Sequence, residues 1–264
     1  MSTLKLALGL NLVSPPHELL AQQDGFVQCQ KLQNYICRDK KIKKIGGTEH
    51  YNPIDLGTGY GVPWVHRSYH KREDGTWTVV AFCFHDGKIY YGDDVAQTLT
   101  ESQAGFTSTA IPTHATMQVA GNSILYFFSG EDEVYKYDGN GGYQWEKTSI
   151  GSDLGRTIIG GTVHLDRMWY ISKNSSTIAY STTLLPEDFT TDAADIVVGQ
   201  ETDSVARAIM VGADETLYVF KSNGIWRLSG RTPASFSFKK VTDKYGLATK
   251  RAIQPVWGGF IFLD

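Results

Sequence analysis

Cysteine is scarce in this chain, and no cysteine belongs to a pattern that binds zinc or forms a redox pair. The three cysteines are Cys29, Cys37 and Cys83, an odd number with none of the short spacings of zinc or thioredoxin-like motifs. Such a set is typical of a chain that is assembled in a reducing cytoplasm. Because Cys83 lies in an apolar run, we expect its thiol to be buried as a small apolar group.

Long hydrophobic runs and a strong charge of either sign are also missing. The most apolar segment, residues 79–84, ends at His85, whereas a membrane-spanning helix needs about 20 apolar residues. The N-terminal sequence is weakly apolar and has no small-x-small cleavage site, so we predict no signal peptide. The net charge of −3 argues against a general affinity for nucleic acid.

Glycine and aromatic residues are frequent, and they mark strands separated by tight turns. The chain contains 27 glycines and 12% aromatic residues, a mixture typical of all-β proteins. In residues 206–230, two short turns separate three runs of strand-forming residues. The second turn contains Asn223 and Gly224, which tolerate a positive φ and therefore favour a hairpin. This segment is predicted to be a three-stranded antiparallel meander.

The same pattern occurs four times along the chain and begins a fifth time. The third strand of each copy begins at Ile89, Val134, Ile178 and Ile225, which are 45, 44 and 47 residues apart. A period in the forties with several strands per repeat is typical of a β-propeller. We therefore predict an all-β, propeller-like array of three- to four-stranded antiparallel blades. An irregular β-sandwich, with equal spacings by chance, is the alternative.

The repeats divide the chain into two predicted regions. Residues 1–60 form an irregular N-terminal arm, and residues 61–264 contain four blades and part of a fifth. The second strand of each copy is almost entirely apolar, which predicts a strand covered on both faces by neighbouring blades. Fourth strands are expected at residues 108–111, 144–150, 195–198 and 235–241, with residues 98–106 as a polar connection. This interpretation predicts no helix between Arg67 and Leu263.

A basic cluster lies in the N-terminal arm. Five of seven consecutive residues are basic and one is acidic, and the basic residues are Arg38, Lys40, Lys41, Lys43 and Lys44. The functional interpretation is a DNA-facing or assembly patch. The structural alternative is an exposed edge strand whose lysines prevent pairing with another strand.

The sequence predicts no catalytic, cofactor-binding or metal-binding residue. His66 and His70 lie on one face of a predicted strand and form a structural pair, because no third metal ligand accompanies them. The acidic segment 131–133 is a solvated turn, with calcium binding as the alternative. Asp192 and Asp195 could pair with other carboxylates in a central channel, as in propeller glycosidases, but no spacing distinguishes them.

The C-terminal half carries a resemblance to a known family. The segments in order are 178–189 (IAYSTTLLPEDF), 195–199 (DIVVG), 205–209 (VARAI), 217–221 (LYVFK), 224–228 (GIWRL) and 244–247 (KYGL). The N-terminal segments 9–11 (GLN), 15–16 (PP) and 44–48 (KIGGT) are also similar. Together they resemble the propeller-like tail stabilisation, nozzle and tail tubular proteins of tailed bacteriophages, over residues 5–60 and 160–264.

This resemblance implies a virion component that assembles in the host cytoplasm and has no enzymatic activity or cofactor. It also implies several copies in a ring around the tail channel, contacts with other tail and adaptor proteins, and passing contact with genomic DNA. Members of the family continue past residue 263 through further blades. The fifth blade is therefore expected to be completed by the N-terminal arm, by further sequence of the protein, or by a partner.

Two other functions compete with this one. The first is a carbohydrate- or receptor-binding propeller, in which exposed tryptophans stack on sugars, although tryptophans near blade strands are more often part of the core. The candidate tryptophans are Trp77, Trp145, Trp169, Trp226 and Trp257. The second is a propeller glycoside hydrolase that uses the carboxylates of a central channel.

Overall fold

The structure, a computed structural model, contains two units of very different size. It describes residues 35–38, 41–44, 64–71, 75–93, 98–140, 142–199, 204–250, 252–256 and 259–264. The contacts within the chain divide it into Met1–Pro53 and Ile54–Asp264. In the first unit, β1 (Tyr35–Arg38) and β2 (Lys41–Lys44) pair as an antiparallel hairpin. The rest of the predicted N-terminal arm lies outside the described residues.

The second unit contains four four-stranded sheets, which we call blades 1 to 4. Blade 1 contains β3 (Trp64–Lys71), β4 (Trp77–His85), β5 (Lys88–Asp93) and β6 (Thr98–Gln103). Blade 2 contains β7 (Thr113–Val119), β8 (Asn122–Phe128), β9 (Tyr135–Tyr137) and β10 (Glu146–Lys147). Blade 3 contains β11 (Ile158–His164), β12 (Arg167–Ser172), β13 (Thr177–Tyr180) and β14 (Ala194–Val197). Blade 4 contains β15 (Ala206–Val211), β16 (Leu217–Lys221), β17 (Gly224–Ser229) and β18 (Ser237–Thr242).

A fifth sheet has two described strands, β19 (Ile253–Val256) and β20 (Gly259–Phe262). In every blade, each strand pairs with the next one along the chain, so each blade is an antiparallel four-stranded meander. The first strands of blades 2, 3 and 4 lie next to one another, because β11 contacts both β7 and β15. This arrangement confirms the predicted all-β, propeller-like array of antiparallel blades.

The second strand of a blade is covered on both faces, as its continuous apolar sequence predicts. In β8, Leu125 and Phe127 pack into a core shared with blade 1. Tyr126 and Phe128 pack into a second core, shared with blade 3, and all four side chains are fully buried. Successive side chains of a strand point to opposite faces of its sheet. One strand therefore contributes to two cores, and each core joins two blades.

The core between blades 3 and 4 contains a buried cation. Trp169 and Trp226 are buried in this core, and Lys221, the last residue of β16, is fully buried beside them. The Lys221 Nζ donates a hydrogen bond to the Val198 carbonyl oxygen over 2.9 Å and lies 4.9 Å from the centre of the Trp226 ring. These two contacts offset part of the cost of removing the ammonium group from water.

Cys83 is buried, as its position in an apolar run predicts. Its side chain is 6% exposed, and burial raises the pKa of the thiol to about 11. A thiol with so high a pKa carries almost no thiolate at neutral pH, so Cys83 acts as a packing residue. The side chains of Cys29 and Cys37 lie outside the described part of the chain.

The prediction for the last strand of blade 1 is wrong. The fourth strand is β6, in the segment expected to be a polar connection, whereas residues 108–111 lie in a turn and an extended connection. An outermost strand pairs along one edge and needs little apolar burial, so threonine and other polar residues can form it. The polar sequence of β6 therefore carried no hydrophobic signal for a strand.

A short helix, α1 (Ile150–Leu154), follows β10, so the prediction of no helix between Arg67 and Leu263 is wrong. Its first backbone N–H groups are satisfied by a residue distant in sequence: the Glu133 carboxylate accepts from Gly151 N over 2.5 Å and from Ser152 N over 3.1 Å. The left-handed Gly155 ends the helix. A second short helix, of the 3-10 type, spans Pro233–Ser235. No helix within the described ranges is long and apolar enough to cross a membrane.

Replacement of Phe127 by alanine tests the packing between blades 1 and 2. The Phe127 ring is fully buried, and its centre lies 5.1 Å from that of Trp64 and 5.2 Å from that of Phe106. We expect Phe127→Ala to lower the free energy of unfolding by about 3–5 kcal/mol, because it leaves a cavity between two sheets. Urea unfolding measures this change. The control Tyr245→Ala removes a ring that is 56% exposed and should cost less than about 0.5 kcal/mol; equal losses would contradict a shared core.

Candidate functional site

The predicted basic patch lies on the hairpin of the first unit. Arg38 is in β1 and pairs with Lys41 of β2, and Lys43 pairs with Ile36. Lys44 is the last residue of β2, while Lys40 lies outside the described residues. The backbone thus gives four of the five basic residues strand positions, which both interpretations of the sequence allow. A DNA-facing role for the patch stays a prediction.

The acidic segment 131–133 is used in three separate structural contacts. The Glu131 carboxylate forms an ion pair with Lys173 over 2.5 Å, and Glu133 caps α1. Asp132 accepts hydrogen bonds from the backbone N–H and the hydroxyl of Thr107, over 2.9 and 3.0 Å. The three carboxylates therefore do not converge on one ion, and no group of three His, Cys, Asp or Glu among the described residues could hold a metal.

The carboxylates proposed for a central channel lie elsewhere. Asp195 belongs to β14, which is the last strand of blade 3 and lies at the opposite edge of the sheet from β11. Its carboxylate forms an ion pair with Arg156 over 2.5 Å. Asp192 lies in the exposed segment before β14, and its backbone oxygen accepts a hydrogen bond from Arg167. Neither residue therefore lies on the first strand of a blade, and the hydrolase alternative stays a prediction.

Three of the five candidate sugar-stacking tryptophans belong to the core. Trp145, Trp169 and Trp226 are between 0% and 6% exposed, so their rings cannot form a platform on the surface. The side chains of Trp77 and Trp257 lie outside the described residues. The expectation that tryptophans close to blade strands form core is therefore confirmed for the three that can be compared.

Two adjoining cavities lie between the first strands of blades 2, 3 and 4. The smaller one, of about 150 Å³, is lined by residues of β7, β11 and β15 together with Lys250 and Ile253, and we call it the inner-strand cavity. The larger one, of about 380 Å³, continues along the same three strands. The cavities share His114, Gly161 and two residues of β15. The smaller cavity is lined by three residues with basic side chains, His114, Arg207 and Lys250.

Two β-bulges shape the inner-strand cavity. The pairing of β11 with β12 shifts between Ile158 and Gly160, and the pairing of β15 with β16 shifts between Ala206 and Ala208. The residues at the two shifts, Ile159 and Arg207, both line the cavity. A bulge leaves one residue out of the ladder and changes the direction of its side chain. Neither bulge was predicted from the sequence, and Arg207 was therefore not singled out.

His114 is a functional candidate that the sequence did not suggest. Its Nδ1 accepts a hydrogen bond from the indole N–H of Trp64 over 3.1 Å, and its ring centre lies 3.9 Å from that of His66. The expected partner of His66 was His70, whose side chain lies outside the described residues. Surrounding protein lowers the pKa of His114, although part of the residue stays exposed. The neutral ring, with Nδ1 accepting, carries its proton on Nε2.

Comparisons with known proteins give structural likenesses only, because no family model and no curated protein matches the chain. A catalytically inactive virginiamycin B lyase from Staphylococcus aureus, crystallised with quinupristin, is 13% identical with a TM-score of 0.47, over 74% of this chain and 70% of that chain. YCF48 bound to D1 peptide is 10% identical with a TM-score of 0.42, over 63% of this chain and 57% of that one. The extracellular domain of a putative hybrid two-component system from B. thetaiotaomicron is 18% identical with a TM-score of 0.46, over 84% of this chain and 29% of that chain. The fold rests on the described sheets and not on these likenesses.

The titration of His114 tests the geometry around its ring. We expect its pKa to lie below the usual 6.5, because surrounding protein disfavours the charged form and a protonated Nδ1 could not accept from Trp64. The unfolded state then binds the proton first, so protonation lowers stability as the pH falls through 6.5. Proton NMR measures the pKa, and the signal is assigned by its loss in His114→Gln. A pKa at or above 6.5 would contradict the described environment.

Proposed function

We propose that this chain is a structural component of a bacteriophage tail or neck. It acts by assembly around the tail channel and not by catalysis. The order of the segments between residues 178 and 263 supports the family, and the propeller-like array is the architecture that the resemblance implies. The observation that carries the assembly role is exposed apolar surface on blade 1 and on the two-stranded sheet of β19 and β20, which are the first and last described sheets of the second unit.

The first exposed surface is one face of blade 1. Val65, Tyr69 and Val79 are 69%, 55% and 39% exposed. They lie on the same face, because Tyr69 pairs directly with Val79 and lies four residues from Val65 on one strand. The opposite face of blade 1 packs against blade 2. Large apolar residues exposed together on a flat sheet face are typical of a surface that binds another subunit.

The second exposed surface is the two-stranded sheet and the groove beside it. Ile261 is 65% exposed, and β20 pairs with β19 alone among the described strands. A cavity of about 590 Å³ lies between this sheet and blade 4, beside the packed rings of Phe220 and Phe260, and is lined largely by apolar and aromatic residues. A strand edge beside an apolar groove can accept an added strand from another chain.

Two different surfaces suit a ring of identical subunits. A contact between the blade 1 face of one copy and the two-stranded sheet of the next would be head-to-tail, and head-to-tail contacts close into a ring when the rotation allows it. In this proposal the ring surrounds the tail channel, contacts other tail and adaptor proteins, and is built in the host cytoplasm before it becomes part of the virion. The basic patch on the hairpin would contact passing genomic DNA.

The assembly surface on blade 1 is tested by native mass spectrometry. We expect the purified chain to form an oligomer, alone or with tail and adaptor proteins. The double variant Val65→Glu with Tyr69→Glu should shift the distribution to monomer, because it places two charges in an apolar interface. Leu184→Glu is the matched control, since Leu184 is 50% exposed on a loop of blade 3. A stable monomer that binds no tail protein would contradict the proposal.

The DNA contact is tested by charge reversal in the hairpin. Replacement of Lys40, Lys41, Lys43 and Lys44 by glutamate should weaken binding to duplex DNA at least about tenfold at low salt and flatten its salt dependence. It should also impair genome delivery by the phage while the fold is retained. The control reverses four exposed basic residues of the second unit: Lys147, Arg231, Lys239 and Lys244. Equal DNA affinity and equal delivery in both variants would exclude a DNA-facing patch.

A further inference from the structure

The same pair of side chains, a tyrosine and a cation, occurs on blades 2 and 4. In blade 2, Tyr126 of β8 pairs directly with Lys136 of β9. In blade 4, Tyr218 of β16 pairs directly with Arg227 of β17. Residues paired in this way share one face of a sheet, and in both blades this face points to the next sheet along the chain. Tyr126 packs in the core shared with blade 3, and the Tyr218 ring centre lies 5.4 Å from that of Phe260 in β20.

In blade 2, the next blade covers this pair with a carboxylate. Glu187 belongs to the connection between β13 and β14 of blade 3. It accepts hydrogen bonds from the Tyr126 hydroxyl over 3.0 Å and from the Lys136 Nζ over 2.9 and 3.2 Å. Lys136 also forms an ion pair with Glu146 of its own blade over 3.4 Å, and its side chain is 21% exposed. The segment that follows a third strand thus helps to balance the cation on the preceding blade.

In blade 4, no described residue supplies a carboxylate to the corresponding cation. Arg227 is exposed and forms no hydrogen bond or ion pair with a residue that the structure describes. The Tyr218 hydroxyl donates to Asp214 of its own blade over 2.8 Å, and the same carboxylate accepts from the Thr216 backbone N–H over 3.2 Å. Asp214 is therefore engaged within its own turn, whereas the planar guanidinium of Arg227 can hold a carboxylate from another segment in a two-point contact.

The apolar groove of about 590 Å³ lies beside this pair. Phe220, Ile225 and Val241 line it from blade 4, and Phe260 and Phe262 line it from β20. Among the described strands β20 pairs with β19 alone, so its second edge is open to an added strand. Tyr218 also lines the groove, which places its neighbour Arg227 at the rim.

Blade 3 shows which element fits the corresponding space. The Tyr170 ring of β12 contacts Phe128 of blade 2 with ring centres 6.2 Å apart, as the Phe262 ring of β20 contacts Phe220 of blade 4 at 5.9 Å. Beside β12 lies β13, whose Ala179 packs in the core shared with blade 2. A strand added to β20 would in the same way cover the groove and lead a following carboxylate to the exposed cation of blade 4.

We propose that this groove binds an extended segment of a partner protein, made of an apolar strand and a carboxylate that follows it after a turn. The strand pairs with the edge of β20, its apolar side chains lie on Phe220 and Ile225, and the carboxylate forms a two-point contact with Arg227. Strand addition at a sheet edge obtains affinity from backbone hydrogen bonds and specificity from side-chain pockets. The inference rests on the proposed assembly role and adds the chemistry of the partner segment.

A peptide with the sequence of residues 177–189 is the probe, because blade 3 uses this segment to cover the corresponding pair of blade 2. Fluorescence anisotropy of the labelled peptide measures its binding to the whole chain. We expect saturable binding, which Glu187→Gln in the peptide weakens at least about tenfold by removing a charge-assisted contact. No saturable binding at millimolar peptide would overturn the proposal, and this is the result expected if a segment of the chain itself occupies the groove. Equal affinity of both peptides would overturn the carboxylate contact.

An exchange of charges tests the contact with Arg227. Arg227→Glu should weaken binding of the peptide at least about tenfold, and Glu187→Arg in the peptide should restore binding to this variant, because the two charges are again opposite. The matched control Arg231→Glu changes an exposed cation outside the groove and should leave the affinity unchanged. Loss of binding without restoration would overturn the assigned contact, as would unchanged affinity of Arg227→Glu.

A charge in the groove tests the apolar part of the site. Val241 lines the groove and is 52% exposed, so Val241→Glu should fold normally. It should weaken peptide binding at least about tenfold, because the added strand would bury an unpaired charge. The matched control Val197→Glu changes a residue that is 43% exposed on β14, the last strand of blade 3. Circular dichroism checks each fold, and equal affinity in the two folded variants would overturn the groove as the site.

Amide hydrogen exchange tests the strand pairing. The Leu263 N–H donates to Ala252 on the side of β19, so the N–H groups of Phe260 and Phe262 point to the opposite edge, because the direction alternates along an antiparallel strand. Bound peptide should slow the exchange of these two amide protons and leave that of β6, the last strand of blade 1, unchanged. Binding without protection of Phe260 and Phe262 would overturn the addition of a strand to β20.

The two proposals fail in different ways, because the peptide assay requires only the isolated chain. An intact oligomer without peptide binding would overturn this inference alone. A stable monomer that binds the peptide but no tail protein would support the groove as a docking site and would contradict the phage assembly role alone.

Discussion

The burial of each blade's second strand between two neighbouring blades is the constraint on which the rest of the second unit depends. Because Leu125 and Tyr126 point into different cores, blade 2 has no core of its own and needs a neighbour on each side. Blade 1 and the sheet of β19 and β20, the first and last described sheets of the second unit, carry large apolar side chains that are exposed, such as Val65 and Ile261.

The same constraint makes the first strands of the blades different from the other strands. The faces of the blades are used for packing, and the outer strand β14 carries an ion pair between Asp195 and Arg156. The first strands are different, because their ends meet around a space that no side chain fills. A bulge at this place interrupts the ladder of hydrogen bonds and changes the direction of one side chain. Arg207 and Ile159 are the two residues that the array redirects in this way.

The sequence predicts the strands whose side chains are buried on both faces. It misses the elements that depend on contacts between residues far apart in sequence. The second strands were predictable because two covered faces require an unbroken apolar run, as in residues 168–171. The strand β6 was not, because an outer strand can be polar, and α1 was not, because its cap comes from Glu133 in the distant connection between β8 and β9. The inner-strand cavity was hidden for a related reason: His114, Arg207 and Lys250 come from separate repeats, and a bulge leaves no composition signal. The basic patch was visible from composition, but composition does not show what the patch contacts.

The buried ammonium group of Lys221 has a consequence for how the chain finds its native pairing. Neighbouring residues of β16 point to opposite faces, so a slip of β16 by a single position would turn Lys221 from the Val198 oxygen toward the apolar core around Phe220. A charge there would have no acceptor and would cost several kcal/mol, on the order of the penalty for an unpaired buried ion. The apolar residues of β16 tolerate either alignment more easily than this cation does. Burial of the Lys221 ammonium group therefore disfavours the shifted register of β16 in blade 4, relative to the register in which Nζ reaches the Val198 oxygen.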